Sequence, residues 1–130
     1  MIYLDSAAVV KLAHAEPQSQ ALRDWLDDRA GTGWISSVLV EVESFRALAR
    51  HAPDAVPRLQ RVLDLIELVG LDPRVRIRAQ AVRPVTVRSL DAIHLATALH
   101  AGDRLTSFVT YDRRLSDAAA EAGLPVDGPS

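Results

Sequence analysis

The chain predicts a three-layer α/β/α sandwich around a central, mostly parallel sheet. Three observations lead there. Short apolar runs alternate with amphipathic helical stripes, and strands separated by helices need crossover connections. At 130 residues, 48% hydrophobic and 25% charged, the sequence has the profile of one globular domain. Acids stand just after strands or at helix starts, where open α/β sheets place their sites.

The elements follow in order. Ile2–Asp5 is an apolar run closed by an acid and reads as a strand. Ser6 begins a mostly apolar helix through Ala13. Pro17 suits a first helical turn, with Leu22, Trp25, Leu26 and Arg29 at helical spacing up to Gly31. Gly33–Ser36 is a second strand, after which Ser36 or Ser37 can cap a helix. That helix carries Val38, Val42, Phe45 and Ala49 on one stripe, expected to face the core. Asp54 opens another, with Val56, Leu59, Leu63 and Ile66. Glu67–Leu71 is extended. Asp72-Pro73 starts a helix with Val75, Ala79 and Val82, and Pro84 breaks the chain. Ser89 is expected to cap a helix that runs to His100 and stops at Gly102. Leu105–Tyr111 is rich in β-formers. Leu115, Ala118, Ala119 and Ala122 make a last stripe, ended by Gly123. Pro125–Val126 offers an edge strand, within a tail over residues 124–130. One domain spans residues 1–130.

Composition excludes much. There is no cysteine, so disulfides, thiolate zinc sites, iron–sulfur clusters and thiol catalysis are excluded together. Net charge is −2, not that of a basic nucleic-acid-coating protein. The longest runs without a charged residue, Ala30–Val40 and Ala92–Gly102, are eleven residues each, against about 20 for a membrane span. Met1-Ile2-Tyr3-Leu4-Asp5 lacks the basic start of a secretory signal. A cytoplasmic protein is expected.

Three acids fall at one sheet edge: Asp5 after the first strand, Asp91 at a helix start, Asp112 after the last long strand. Each alone has an ordinary reading, since an acid at a helix N-terminus gains about 0.3–1 kcal/mol from the dipole. Together they would repel one another without a partner, and a divalent cation is the simplest one. A fourth acid is expected from the helix after the second strand. Glu41 and Glu43 both lie there, about 200° apart, and periodicity does not choose between them. Arg46 and Arg50 follow Glu43 at i+3 and i+7, a polar ridge that could face phosphate or simply solvent.

The stretches Tyr3-Leu4-Asp5-Ser6, Glu43-Ser44-Phe45-Arg46-Ala47-Leu48, Arg88-Ser89-Leu90-Asp91-Ala92-Ile93-His94-Leu95-Ala96 and Thr110-Tyr111-Asp112-Arg113-Arg114-Leu115 resemble, in order and spacing, those of PIN-domain ribonuclease toxins of the VapC type. The resemblance covers nearly the whole chain and selects Glu43 over Glu41. It implies a Mg²⁺-dependent endoribonuclease, with Mn²⁺ as a substitute, whose metal ligands are Asp5, Glu43, Asp91 and Asp112, supported by the hydroxyls of Ser6 and Thr110. It implies in-line attack of an activated water on single-stranded or structured RNA, leaving a 5′-phosphate and a 3′-hydroxyl. It further implies a homodimer and a cognate VapB-type antitoxin. Where relatives carry a further acid, Arg113 and Arg114 stand here, so a second complete metal site is not carried over.

Seven arginines against three acids between Arg58 and Arg88 offer phosphate contacts. Arg88, three residues before Asp91, is the best individual candidate, with Arg46 beside Glu43. His94, inside an apolar helix, is expected as a packed core residue rather than a ligand. A haloacid-dehalogenase phosphatase would need an acid where Ala7 stands, and a receiver domain a lysine near the last strand, whereas the only lysine is Lys11. A non-catalytic PIN-like RNA- or protein-binding module is the remaining alternative.

Overall fold

The computed structural model describes all 130 residues. Five strands, β1 (Ile2–Leu4), β2 (Trp34–Ser37), β3 (Ile66–Val69), β4 (Ser107–Val109) and β5 (Val126–Asp127), form one sheet in the order β3-β2-β1-β4-β5. Every pairing is parallel, as the expected sandwich requires. Around it lie α1 (Ser6–Ala13), α2 (Ser19–Asp27), α3 (Leu39–His51), α4 (Val56–Leu63), α5 (Pro73–Gln80), α6 (Ser89–Ala101) and α7 (Arg113–Glu121).

The strands divide their side chains between two cores, because successive residues of a strand point to opposite faces. Ile2, Leu4 and Val109 pack with Val9, Leu22, Val40, Leu48 and Leu59, from α1 to α4. Tyr3, Ile35 and Phe108 pack with Leu95, Ala98, Leu115 and Ala119, from α6 and α7. Two cores on two faces make the three layers. The chain runs outward from β1 through β2 to β3, then returns to lay β4 and β5 on the other side. The switch point therefore lies between β1 and β4, and Asp5 and Asp112 follow these two strands.

Several boundaries differ from the sequence reading. Val42 and Phe45 are 60% and 49% exposed, while Val40, Ser44 and Leu48 are buried. The apolar stripe chosen for α3 was thus not its core face. Both faces carry apolar residues, and periodicity selected the more hydrophobic one. Ser89 does not cap α6: Arg88 holds the cap position and no side chain caps it. Ser37 Oγ accepts from the Leu39 amide at 3.2 Å but does not cap α3, whose cap position is Val38. Pro17 precedes α2, which opens after Gln18 at φ 70°. Ile66 begins β3 instead of ending α4, and a short 3₁₀ turn, Pro53–Ala55, precedes α4. β4 is confined to Ser107–Val109. Asp72 caps α5 as expected, accepting from the Val75 amide at 3.1 Å with Pro73 in the first turn. β5 docks the C-terminal residues: Ser107 Oγ donates to Asp127 Oδ2 at 2.5 Å, and Tyr111 to the Pro129 carbonyl at 2.8 Å.

Candidate active site at the carboxyl edge of the sheet

Asp5 leaves β1 in an extended conformation, and its Oδ1 accepts from the Ala8 amide at 2.9 Å, capping α1. Asp112 does the same for α7, accepting from Leu115 at 3.1 Å. Each carboxylate therefore gives one oxygen to a helix start. The ordinary reading of these acids is correct as far as it goes, yet it uses only half of each group.

Thr110 ties the two together. Its buried hydroxyl lies near Asp5 and favours the ionised form of that carboxyl, and its Oγ1 accepts from the Asp112 amide at 3.1 Å. Ser6, on the first turn of α1, is half-buried and its hydroxyl makes no hydrogen bond within the chain.

Asp91 lies in the first turn of α6. Arg88 bridges it to Asp112: Nε donates to Asp91 Oδ2 at 3.1 Å and Nη2 to Asp112 Oδ2 at 3.3 Å. Arg88 is mostly exposed, and its one guanidinium is the counter-ion of both carboxylates.

Glu43 is half-buried, and its Oε1 lies 2.6 Å from His94 Nε2. Glu41 is exposed, in a shallow groove between α3 and α4 with Val42 and Phe45. Arg46 lines that same groove and pairs with none of the acids. Of the two readings left open for the Arg46 ridge, phosphate or solvent, its exposed place on α3 agrees with the second. Among the other arginines, Arg58 donates to the Ala13 carbonyl at 2.9 Å, a structural role.

Burial pushes the Asp5 carboxyl above the usual carboxylate range, and the nearby Glu43 pushes it further. The Thr110 hydroxyl, the Ala8 amide and the nearby His94 oppose this without cancelling it. Tyr111 is raised to about 12, by burial and then by Asp5. Two neighbouring carboxylates with too little compensating charge suit a hard cation, and an all-oxygen donor set fits Mg²⁺ or Mn²⁺. No three acid or histidine side chains converge closely enough to enclose an ion as they stand. Magnesium does not demand it, since it keeps several waters and takes one or two carboxylates directly.

Beside Asp91 a cleft of ≈ 400 Å³ opens between the starts of α6 and α7, where Arg88 and Arg114 face the acids Asp91, Asp117 and Glu121. Arginines over such a cleft match phosphate geometry, and the starts of α6 and α7 add their positive dipole ends.

His94 is buried, as its apolar helix implied. Its bond to Glu43 was missed. The available signals were helical spacing from Asp91 (i+3) and a tyrosine two residues before Asp5.

Comparison with known proteins follows the same lines. The PIN-domain family pattern matches residues 2–121. The protein named ribonuclease VapC35 of Mycobacterium tuberculosis is 47% identical over 131 residues, covering 99% of this chain and 97% of that protein. Ribonuclease VapC46 of the same organism is 44% identical, covering 99% and 98%, and ribonuclease VapC47 is 40% identical, covering 99% and 97%. Among solved structures, a toxin–antitoxin complex from Klebsiella pneumoniae superposes with a TM-score of 0.70 at 22% identity, covering 99% of this chain and 97% of that one. That likeness supports the fold.

Proposed function

The chain belongs to the PIN-domain family, among the ribonuclease toxins of the VapC type, and from that membership we propose a Mg²⁺-dependent endoribonuclease acting on single-stranded or structured RNA. The metal reading rests on Asp5, whose ionised form burial and the nearby Glu43 disfavour, and on Asp91 and Asp112, which share the Arg88 guanidinium. These four would hold the ion, Mg²⁺ or Mn²⁺. The ion would supply positive charge to offset that building on the phosphate and would make water a better nucleophile.

The chain's own residues do the rest. Asp5 and Asp112 are oriented by their helix caps, and the Asp112 amide also donates to Thr110. Thr110 and Ser6 are the supporting hydroxyls, Ser6 with its side chain unengaged. Arg88 grips two carboxylates in the free protein. With an ion held by those acids, the guanidinium would be free to take a phosphate oxygen in the cleft beside Asp91, which Arg114 also lines. Arg46, in the α3–α4 groove, is outside that cleft.

The partners follow from the same membership. A VapB-type antitoxin would inhibit by placing a cation among the acids, a position Arg88 already occupies in part. The exposed Val42 and Phe45 beside α4 provide an apolar face for a homodimer. No helix is long and apolar enough to cross a membrane, and a cytoplasmic place of action is part of this proposal. Calorimetric titration of Mn²⁺ into wild type and Asp5→Asn tests the reading. Binding by wild type that weakens sharply in the variant supports it. Equal binding, or none, favours a non-catalytic binding module.

A further inference from the structure

A buried polar chain crosses the interior behind the acids. The Ser37 amide donates to the Tyr3 hydroxyl at 3.3 Å. Tyr3 Oη lies 2.6 Å from His94 Nδ1, and His94 Nε2 lies 2.6 Å from Glu43 Oε1. Tyr3 is fully buried and His94 nearly so. The Tyr3 ring is fixed by stacking on Phe108, with centroids 4.9 Å apart, and it meets the His94 ring edge-on.

Hydrogen counting assigns the protons. A tyrosine hydroxyl carries its proton at neutral pH. Its oxygen accepts from Ser37, and its one hydrogen goes to His94 Nδ1. Nδ1 is then the acceptor, and Nε2 carries the imidazole proton and donates to Glu43. Glu43 receives one fixed bond on Oε1, which leaves Oε2 for the site.

An apolar core residue would fill this space without the cost of burying two polar groups. The chain's route shows what that cost secures. It joins β2, β1, α6 and α3. Tyr3 is two residues before Asp5, and His94 is one helical turn after Asp91 on α6. Three acid-bearing segments are thus tied together by side chains that are not themselves acids.

We infer that His94, held in its Nε2–H form by Tyr3, is a positioning residue that orients the Glu43 carboxylate for the ion. The inference rests on the metal-dependent reading above. Partners standing behind a metal ligand are typically worth about 10–100-fold in affinity.

Two measurements test it. The first is nitrogen NMR of histidine-labelled wild type, free of metal, at neutral pH. The expected spectrum has His94 protonated at Nε2 and accepting at Nδ1, with Tyr3→Phe converting it to a mixture of tautomers. A His94 protonated at Nδ1, or at both nitrogens, overturns the inference. The second is Mn²⁺ titration. His94→Leu should weaken binding about 10–100-fold, and His94→Gln, whose amide can reach the same carboxylate oxygen, should recover most of the loss. Unchanged affinity in His94→Leu overturns the inference, as does a His94→Gln no better than His94→Leu. Should His94→Leu not fold, His94→Gln and Tyr3→Phe still decide: both must bind Mn²⁺ more tightly than Glu43→Ala, and the reverse overturns the inference. Wild type that binds no Mn²⁺ contradicts the metal reading itself, and the inference falls with it.

Discussion

Asp5 shows how one carboxylate serves two purposes. Its cap on α1 could be kept by asparagine, whose side-chain oxygen still accepts from the Ala8 amide. Its charge serves the fold poorly, because burial raises its proton affinity in the native state. For an acid whose native value lies above the unfolded one, the folded state binds more protons between the two values. Its contribution to stability therefore falls as pH rises through that window and is flat above it. Metal-free Asp5→Asn should lose this slope and melt no lower than wild type at neutral pH, measured by thermal denaturation in EDTA. A clearly lower Tm would mean that the charge stabilises the fold. Arg88 calls for the opposite kind of test. Arg88→Met removes a competing cation from Asp91 and Asp112, so Mn²⁺ affinity should rise while RNA binding weakens, by calorimetry and by filter binding respectively. Both affinities falling together would contradict the exchange of partners.

At the scale of elements, α6 carries the most. It presents Asp91 and His94 to the site and buries Ala92, Leu95, Ala96 and Ala98 behind them. Leu95→Ala should lower the unfolding free energy by about 2–5 kcal/mol, read by urea denaturation. A loss under ~1 kcal/mol would mean that α6 is not anchored there. The order of strands and helices was legible because the apolar periods of this chain are short and its breaks are marked by Pro, Gly and Asp. The facing of α3 was not. Val38, Val42, Phe45 and Ala49 form the more hydrophobic stripe, yet the helix buries Val40, Ser44 and Leu48. Ser44 is tolerated there because its hydroxyl donates to the Val40 carbonyl, a local bond that hides a polar residue from any apolar count. The exposed stripe then becomes a surface. Phe45→Glu should leave monomer stability within about 0.5 kcal/mol while light scattering shows a dimer giving way to monomer. A dimer unaffected by the change would move the interface elsewhere.

For the molecule as a whole, the sheet order explains how residues 5, 43, 91 and 112 share one edge. A chain that lays three strands outward and returns to place β4 beside β1 brings its first and last acids together. Strand ends pointed to Asp5 and Asp112 from sequence alone, and the helix start pointed to Asp91. Separating Glu43 from Glu41 needed the family motif, since the two flank the same stripe. Tyr3 and His94 were hidden for another reason: their chemistry depends on a long-range encounter of β1, α6 and α3 that no local pattern records. We propose that these four carboxylates make a metal-dependent ribonuclease. That proposal is tested most directly by cleavage of a labelled single-stranded RNA in Mg²⁺, comparing wild type, wild type in EDTA and Asp91→Asn. Asparagine keeps the volume of Asp91 and its place on α6 while removing one ligand charge. Cleavage by wild type that stops in EDTA and is abolished in Asp91→Asn is the predicted result; cleavage by Asp91→Asn at the wild-type rate, or by wild type undiminished in EDTA, would contradict it.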